Sequence, residues 1–357
     1  MIAEKIKVLI TDDSLLFRNV LKNELSKDSS IEVVGMAVDP IDAMEKIKTL
    51  NPDIITMDIE MPKMDGLTFI KKLMAEHPVK VVLVSSMNIS VFDALQSGAV
   101  DFVKKPAMSS DNDLDIFIRE LKTKIKIASI AKLVTYKNTK KEPVVETVET
   151  VETAGSTVAR LSGLIKSSAK RVIAIGASTG GTEATLKILK ELPEDTPGIV
   201  VTQHMPPGFT KMYADRLNKI CIMEVREAVN GDRVETGVVL IAPGDMQMKL
   251  MKDGKGYYVS CKPGEKVSGH CPSVDVLFNS VAEAAGKNST GIILTGMGKD
   301  GAQGLMNMKK AGAYTIGQDE KSSVVYGMPM VAYNIGAVAV QASIENIADI
   351  LIRHLNK

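Results

Sequence analysis

Cysteine and tryptophan are scarce in this chain of 357 residues, which contains three cysteines and no tryptophan. The cysteines are Cys221, Cys261 and Cys271, an odd number with no CxxC spacing. This pattern excludes a disulfide framework and a zinc knuckle of paired cysteines. We therefore expect a protein of a reducing compartment, the cytoplasm.

The sequence also lacks an excess of charge and a long hydrophobic run. Its 44 basic and 43 acidic residues leave a formal net charge of +1, whereas a dedicated nucleic-acid binder normally carries a concentrated basic surface. No apolar run approaches the roughly 20 residues that cross a bilayer. The N-terminus, MIAEKIKVLITDD, has no secretory pattern. We expect neither a nucleic-acid partner nor direct insertion into a membrane.

Two α/β patterns share the chain, as expected at roughly 150 residues per domain. In residues 1–127, five short runs rich in Val and Ile alternate with amphipathic segments, which predicts a doubly wound, flavodoxin-like parallel sheet. Residues 169–357 repeat the pattern as a Rossmann-like domain. There, MQMKL (246–250) and YYVSC (257–261) predict a small antiparallel hairpin with an Asp253-Gly254 turn. Between the domains, residues 128–168 contain the triplet VET three times, which predicts a flexible linker.

Acidic residues follow the predicted strands of the first domain. Asp12 and Asp13 come after the first strand and Asp58 after the third, whereas Ser85 and Lys105 follow the fourth and fifth. Any one of these residues alone could be a solvated loop group. Because the carboxyl ends of parallel strands share one edge, the set predicts a site for Mg²⁺. An aspartate there could attack a phosphoryl donor.

The segments ITDDS (10–14), MDIEMPKMDG (57–66), LVSS (83–86) and VKKPA (103–107) resemble the receiver domain of response regulators. The resemblance implies that Asp58 accepts a phosphoryl group from a histidine kinase. It also implies that Asp13, Asp58 and the carbonyl of Glu60 hold Mg²⁺, with Asp12 acting through water. Ser85 would be the switch hydroxyl, and Lys105, which precedes a proline, would contact the phosphoryl group.

The second domain begins with a candidate nucleophile. Gly176-Ala-Ser178-Thr-Gly180 lies between a predicted strand and a predicted helix, which is the context that gives GxSxG its meaning. Backbone N–H groups at the start of that helix can stabilise an oxyanion. A dinucleotide-binding turn is disfavoured, because Ser178 replaces the middle glycine of GxGxxG and the next strand ends in Gln203-His204 without an acidic residue.

A serine nucleophile needs a base, and His204 in QHMPPGF is the favoured candidate. His270 in GHCPSVD remains possible. Asp300 in LTGMGKDG (294–301) is the candidate carboxylate that orients the base. The chain order Ser, His, Asp differs from that of α/β hydrolases. Cys271 as a nucleophile beside His270 is disfavoured, because neighbouring side chains in an extended loop point apart.

The segments IGASTGG, TQHMPPGFT, IAPGD, HCPSVDVLF, ILTGMGKDGAQG and VVYGMP resemble the catalytic domain of chemotaxis protein-glutamate methylesterases. The resemblance implies the triad Ser178, His204 and Asp300, with the backbone N–H of Met297 as an oxyanion donor and no cofactor in this domain. One departure is Gln247, which stands where the family often has a histidine.

The resemblance further implies the substrates: glutamate γ-methyl esters, and glutamines for deamidation, on the cytoplasmic helices of chemoreceptors. Phosphorylation would activate the enzyme, on the hypothesis that the unphosphorylated receiver blocks the Ser178 crevice. The alternative is a non-catalytic binding module coupled to a receiver.

Overall fold

The computed structural model describes residues 4–61, 64–86, 90–106, 111–133 and 171–357. The chain divides into two compact units, Met1–Thr139 and Lys140–Lys357, and each is described by itself. Residues 134–170, which include most of the predicted linker, lie outside the described residues. Among the described residues, no helix combines the length and apolarity needed to cross a membrane.

The first unit is built on a five-stranded parallel sheet of order β2-β1-β3-β4-β5. This order confirms the flavodoxin-like, doubly wound prediction. Helices α1 and α5 meet through Phe17 and Phe117, whose ring centroids are 5.8 Å apart. The strands are β1 Ile6–Thr11, β2 Ile31–Ala37, β3 Ile54–Met57, β4 Lys80–Ser85 and β5 Asp101–Lys104; the helices are α1 Leu15–Ser26, α2 Pro40–Leu50, α3 Gly66–Glu76, α4 Ser90–Gln96 and α5 Asp111–Ile130.

The predicted strands form because their side chains are apolar on both faces. All four residues of β3 are buried, as are the last four of β1, as expected for strands covered by helices on both sides. Polar caps start the helices. Ser14 accepts a hydrogen bond from the backbone of Phe17 at α1, and Asp39 and Asp65 cap α2 and α3 in the same way;. Helix α5 extends to Ile130, three residues beyond the predicted end of the domain.

The second unit contains a seven-stranded parallel sheet of order β14-β13-β12-β6-β7-β9-β8. The chain enters at β6 in the middle, builds one half of the sheet, and then returns through β12 to build the other half. Strands β6 and β12 are therefore adjacent where the direction of winding reverses, which is the topological switch point where ligands bind in such sheets.

The strands of this unit are β6 Val172–Ala177, β7 Ile199–Gln203, β8 Glu224–Glu227, β9 Val238–Ile241, β10 Met246–Asp253, β11 Gly256–Pro263, β12 Ser289–Ile293, β13 Tyr314–Gln318 and β14 Val340–Ala342. The helices are α6 Gly181–Leu189, α7 Phe209–Ile220, α8 Val274–Ala284, α9 Ala302–Lys310, α10 Met328–Asn334 and α11 Ile344–Leu355. Strands β8 and β14, at the two edges of the sheet, were not predicted.

The antiparallel hairpin of β10 and β11 is present, but its turn differs from the prediction. Asp253 pairs with Gly256, so the turn residues are Gly254 and Lys255 rather than Asp253 and Gly254. Asp253 stays in the ladder because its carboxylate forms two hydrogen bonds with Arg233, of 2.8 and 2.7 Å, and accepts the backbone N–H of Lys255 at 2.8 Å. Gly256, at a φ of 120°, completes the reversal;.

Candidate active site and phosphorylation site

Three carboxylates meet at the carboxyl edge of the first sheet. Asp12, Asp13 and Asp58 each offer an oxygen, and these oxygens all lie within 4.8 Å of one another. Asp12 and Asp58 are buried, whereas Asp13 is exposed. Lys105 Nζ lies 2.6 Å from Asp58 Oδ2 and 2.8 Å from Asp12 Oδ2. One ammonium thus pairs with two of the three carboxylates, and the cluster of hard carboxylate oxygens fits Mg²⁺;.

Burial dominates the electrostatics of Asp58. It raises the pKa of this carboxyl, although the hydrogen bonds from Lys105 and from the backbone N–H of Glu60 act in the opposite direction;. Burial also opposes the charge on Lys105, but hydrogen bonds to Asp12 and Asp58 outweigh it, so the pKa of Lys105 is raised. The ring of Phe17 lies 4.5 Å from Lys105 Nζ and adds a cation–π contact;.

Ser85 is the last residue of β4 and is fully buried. Its carbonyl accepts the backbone N–H of Lys105 at 2.8 Å, which holds the two predicted phosphoryl-contacting residues on neighbouring strand ends. Within the described part of the chain, Ser85 Oγ has no hydrogen-bond partner. A buried hydroxyl in this state can donate to a group that arrives later at the site.

Ser178 lies in the turn between β6 and α6. Its backbone N–H donates to Thr295 O at 3.0 Å and its carbonyl accepts from Gly181 at 2.7 Å. Gly180 makes the turn at a φ of 78°, where an added Cβ would also come within 2.6 Å of Val324;. The nucleophile candidate is therefore fixed at the start of a helix, on the strand next to the switch point.

His204 and Asp300 form the pair predicted from the sequence. Nε2 of His204 lies 2.8 Å from Asp300 Oδ2, and both side chains are buried. Their backbones are separated by 96 positions and meet because β7 and β12 flank β6. The backbone N–H of His204 also donates to Ala177 O at 3.1 Å, which places His204 beside the Ser178 turn.

Asp300 is surrounded by donors from the N-terminus of α8. Ser273 Oγ and the backbone N–H of Val274 each donate at 2.7 Å, and the N–H of Asp275 donates at 3.1 Å. Burial disfavours the charged carboxylate, but the hydrogen bonds from His204, Ser273 and Val274 outweigh it and hold the pKa of Asp300 below its ordinary value;. Asp300 therefore remains an anion that orients the imidazole.

The other imidazole nitrogen, His204 Nδ1, is buried and has no hydrogen-bond partner among the described residues. Ser178 Oγ is therefore not hydrogen bonded to it in this structure. Because Asp300 holds Nε2, Nδ1 is the nitrogen left for the serine. This use of the ring is the reverse of the serine protease template, in which the aspartate holds Nδ1.

Two glutamines that sequence reasoning did not assign to the site support it. Gln203 Nε2 donates to the carbonyl of Ser178 at 2.9 Å and to that of His204 at 3.3 Å, so one amide joins the segments that carry the candidate nucleophile and the candidate base. Gln247 Oε1 accepts the backbone N–H of Ser273 at 2.9 Å. For Gln203, the signal in the sequence was the polar pair Gln203-His204 at the end of a buried strand. For Gln247, the signal was its position, where the family often has a histidine, but the sequence did not indicate the contact with Ser273.

The predicted oxyanion donor lies in the loop after β12. Gly296 O accepts the backbone N–H groups of Gly327 at 3.1 Å and Met328 at 2.7 Å, which fixes the loop. A Cβ at Gly296 would lie 2.6 Å from Ser178 Cβ, so only glycine allows this approach;. Between described residues, no hydrogen bond uses the backbone N–H of Met297.

The two alternatives from the sequence are placed differently. The ring of His270 stacks on that of His204, with centroids 3.6 Å apart and planes 8° apart, and it is His204 that pairs with Asp300. Burial raises the pKa of the Cys271 thiol, which disfavours the thiolate that a cysteine nucleophile needs.

Comparison with known proteins agrees with this geometry. The family described as CheB methylesterase matches residues 173–351, and the response regulator receiver domain matches residues 8–115. A protein-glutamate methylesterase/protein-glutamine glutaminase 2 from Syntrophomonas wolfei is 52% identical over 355 residues, covering 99% of this chain and 98% of the relative. The chain belongs to the CheB methylesterase family. The expectation of an enzyme is confirmed, and the alternative of a non-catalytic module is wrong.

Other members of the CheB family give the same result. A protein-glutamate methylesterase/protein-glutamine glutaminase from Syntrophotalea carbinolica is 46% identical over 364 aligned positions, covering 99% of both chains. The crystal structure of the CheB methylesterase catalytic domain of Thermotoga maritima covers 52% of this chain and 98% of that chain, at 36% identity and a TM-score of 0.51. The fold and the predicted family of the second unit are confirmed.

Proposed function

We propose that this chain hydrolyses glutamate γ-methyl esters, and deamidates glutamines, on the cytoplasmic helices of chemoreceptors during chemotactic adaptation. A chemotaxis histidine kinase would control it by phosphorylating Asp58. The observation that carries the hydrolytic part is the buried His204–Asp300 pair, 2.8 Å apart, beside the Ser178 turn. The names of the full-length relatives support the assignment of glutamate methyl esters and glutamines as substrates.

The three side chains would act as a Ser-His-Asp triad. Ser178 Oγ attacks the ester carbonyl carbon while His204 Nδ1 accepts its proton. The proton passes to the departing methoxide, methanol leaves, and water hydrolyses the acyl-enzyme by the same route. With glutamine as substrate, ammonia leaves instead. The Ser178–His204 hydrogen bond would form with substrate bound, since catalytic hydrogen bonds are often long in free enzymes.

Two further groups stabilise the charges that develop. The carboxylate of Asp300 faces the imidazole and stabilises the imidazolium. The backbone N–H of Met297, which no hydrogen bond between described residues occupies, would donate to the oxyanion;. Both roles require a fixed loop after β12, and the hydrogen bonds to Gly296 O provide it.

In the receiver, Asp13, Asp58 and the carbonyl of Glu60 would hold Mg²⁺, with Asp12 acting through water. The ion supplies positive charge that allows an anionic phosphoryl group to approach a carboxylate. Asp58 would attack the phosphorus of the kinase's phosphohistidine, and the histidine would leave. The cluster of three carboxylate oxygens within 4.8 Å supports this assignment.

Lys105 and Ser85 would contact the phosphoryl group once Asp58 is phosphorylated. Lys105 Nζ lies 2.8 Å from Asp12 Oδ2 and 2.6 Å from Asp58 Oδ2, and it would contact a phosphoryl oxygen on Asp58. Ser85 Oγ, buried without a partner among the described residues, would donate to another. We place the receiver in residues 1–127, the linker in 128–168 and the catalytic domain in 169–357, acting in the cytoplasm.

The test is methanol release from membranes that carry methylated chemoreceptors. We expect Ser178→Ala to lower the rate by several orders of magnitude, because it removes the nucleophile. Cys271→Ala is the matched control, since it removes the rival nucleophile from the neighbouring loop, and it should retain activity. Near-normal methanol release by folded Ser178→Ala would overturn the proposal.

A further inference from the structure

The stack of His270 on His204 places a second imidazole directly against the catalytic one. The centroid distance of 3.6 Å and the angle of 8° describe two rings in full face contact. Aromatic pairs generally prefer offset or edge-to-face arrangements, with centroids about 4.5–7 Å apart, over a face-to-face stack of this kind. The catalytic function assigned to Asp300 and His204 does not account for this contact.

The catalytic ring needs a restraint that Asp300 does not supply. The bond from Nε2 to Asp300 Oδ2 fixes one atom of the ring, and the backbone fixes Cβ. A ring held at those two points can still rock about the line that joins them. Rocking would move Nδ1, which is buried and has no hydrogen-bond partner among the described residues. A flat surface against the ring face restrains this motion.

His270 is itself held firmly by its loop. Val267 and His270 form two backbone hydrogen bonds of 2.9 Å each, and they close a turn in which Ser268 and Gly269 have φ values of 53° and 87°. Gln247 Nε2 donates to the carbonyl of His270 at 3.3 Å, and to that of Glu265 at 2.9 Å.

The same glutamine ties this loop to the cradle of the catalytic carboxylate. Gln247 Oε1 accepts the backbone N–H of Ser273, whose hydroxyl donates to Asp300. One buried amide therefore links the backbone of His270, whose ring stacks on His204, to the backbone of Ser273, whose hydroxyl binds Asp300. This arrangement gives Gln247 a structural function at a position where the family resemblance left its role open.

We propose that His270 is a positioning residue for ester hydrolysis, and that its ring face holds the plane of His204 so that Nδ1 faces Ser178. The contribution comes from the flat surface of the ring and not from a proton on it. The proposal rests on the assignment of Ser178, His204 and Asp300 above.

The experiment compares His270→Ala, His270→Leu and His270→Phe in the full-length protein, by methanol release from methylated receptor membranes. We expect Ala and Leu to lower kcat by about ten- to a hundredfold, the loss that misplacement of a catalytic group by about 1 Å produces, with KM within about twofold. Leu fills the space without a planar face. Phe restores the face without a titratable nitrogen and should keep kcat within about threefold of the wild type.

His354→Ala is the matched control. His354 also stacks on an aromatic ring, that of Tyr314, with centroids 3.9 Å apart. Tyr314 begins β13, so this second stack lies at the amino end of the sheet, opposite the site. Its loss should leave kcat unchanged.

Three results would overturn the proposal. If Phe is as slow as Ala, a nitrogen of His270 acts in the reaction, as base or substrate contact. If Ala and Leu both keep the wild-type kcat, the stack has no role. If only KM rises, His270 binds substrate. Failure of the triad itself would be recognised separately, because Ser178→Ala would then retain methanol release.

Discussion

Asp58 and Asp300 are both buried aspartates just beyond the carboxyl ends of parallel strands, yet their pKa values are shifted in opposite directions. The pKa of Asp58 is raised, because burial outweighs the bonds from Lys105 and from the backbone N–H of Glu60. The pKa of Asp300 is lowered, because His204, Ser273 and the N-terminus of α8 supply enough hydrogen bonds to outweigh burial. The donors around each carboxylate therefore decide the direction in which its pKa is shifted;.

This difference in hydrogen-bond donors matches the function proposed for each aspartate. A carboxylate with only two donors, one of them a lysine shared with Asp12, gains from added positive charge and has lone pairs left on its oxygens to react;. A carboxylate with four donors is fixed in place and cannot take part in bond formation, but it can orient a base. The first arrangement suits a switch, whereas the second suits a catalytic site that is assembled before the substrate arrives.

The largest expected effect comes from removing the charge of Asp300, the carboxylate that accepts four hydrogen bonds. Asp300→Asn places an amide among groups that all donate, so its NH₂ faces a donor and the imidazole loses its anionic partner. We expect kcat for methanol release to fall by about 10³- to 10⁴-fold. Phosphorylation of Asp58 by acetyl phosphate should be unchanged. A loss of less than tenfold would show that Asp300 is not needed to orient His204.

The corresponding change in the receiver should abolish phosphorylation while leaving the catalytic site intact. Asp58→Asn cannot form an acyl phosphate and removes an anionic metal ligand, so we expect no labelling by acetyl phosphate with or without Mg²⁺. The control is Asp53→Asn. Asp53 precedes β3, at the opposite end of the strand that leads to Asp58, and its carboxylate accepts the backbone N–H of Lys7. Stable labelling of Asp58→Asn would move the phosphorylation site elsewhere.

The sequence was sufficient to predict those residues of both sites that follow the carboxyl ends of strands. Runs such as those of β1 and β3 are apolar enough to predict the sheets, and parallel strands bring their carboxyl ends to one edge. Asp12 and Asp58 could therefore be grouped in one site, and Ser178 and His204 in the other, from the sequence alone. The same reasoning put Asp300 in the turn after β12.

The features that the sequence did not predict depend on loops that meet across the fold. Ser273 reaches Asp300 over 27 positions, and Gln247 on β10 reaches Ser273, at the start of α8, over 26 positions. The choice of His204 Nε2 for Asp300, and the stack with His270, also follow from loop geometry alone. Edge strands β8 and β14 were missed because they are short and only partly buried.

A smaller effect on activity is expected from removing one of the four hydrogen-bond donors to Asp300. Ser273→Ala takes away the hydroxyl that binds Asp300 Oδ1 at 2.7 Å. A hydrogen bond to a charged group contributes about 1.5–3 kcal/mol, so we expect kcat to fall by about ten- to a hundredfold, with KM nearly unchanged. Unchanged kcat would show that the backbone donors of α8 are sufficient.

The same variant has a dependence on pH whose sign is fixed by the lowered pKa of Asp300. A depressed pKa stabilises the folded state above the unfolded value of 3.8, and this stabilisation is lost as pH falls through the folded value;. The difference in Tm between the wild type and Ser273→Ala should therefore be larger at neutral pH than in acid below the lowered, folded-state pKa of Asp300;. A difference that stays constant with pH would show that the hydroxyl does not act through the charge of Asp300.

The smallest expected effect concerns the coupling of the two sites. The chain forms two compact units, and the solved catalytic domain of Thermotoga maritima, matched over 98% of its length, is a catalytic unit without a receiver. We expect residues 150–357 alone to hydrolyse receptor methyl esters several-fold faster than the unphosphorylated full-length protein. A coupling free energy of about 1.4 kcal/mol corresponds to a tenfold change. Phosphorylation should close much of this gap in the wild type but not in Asp58→Asn. If the fragment is no faster, the unphosphorylated receiver does not inhibit, and activation must come from a positive action of the phosphorylated receiver.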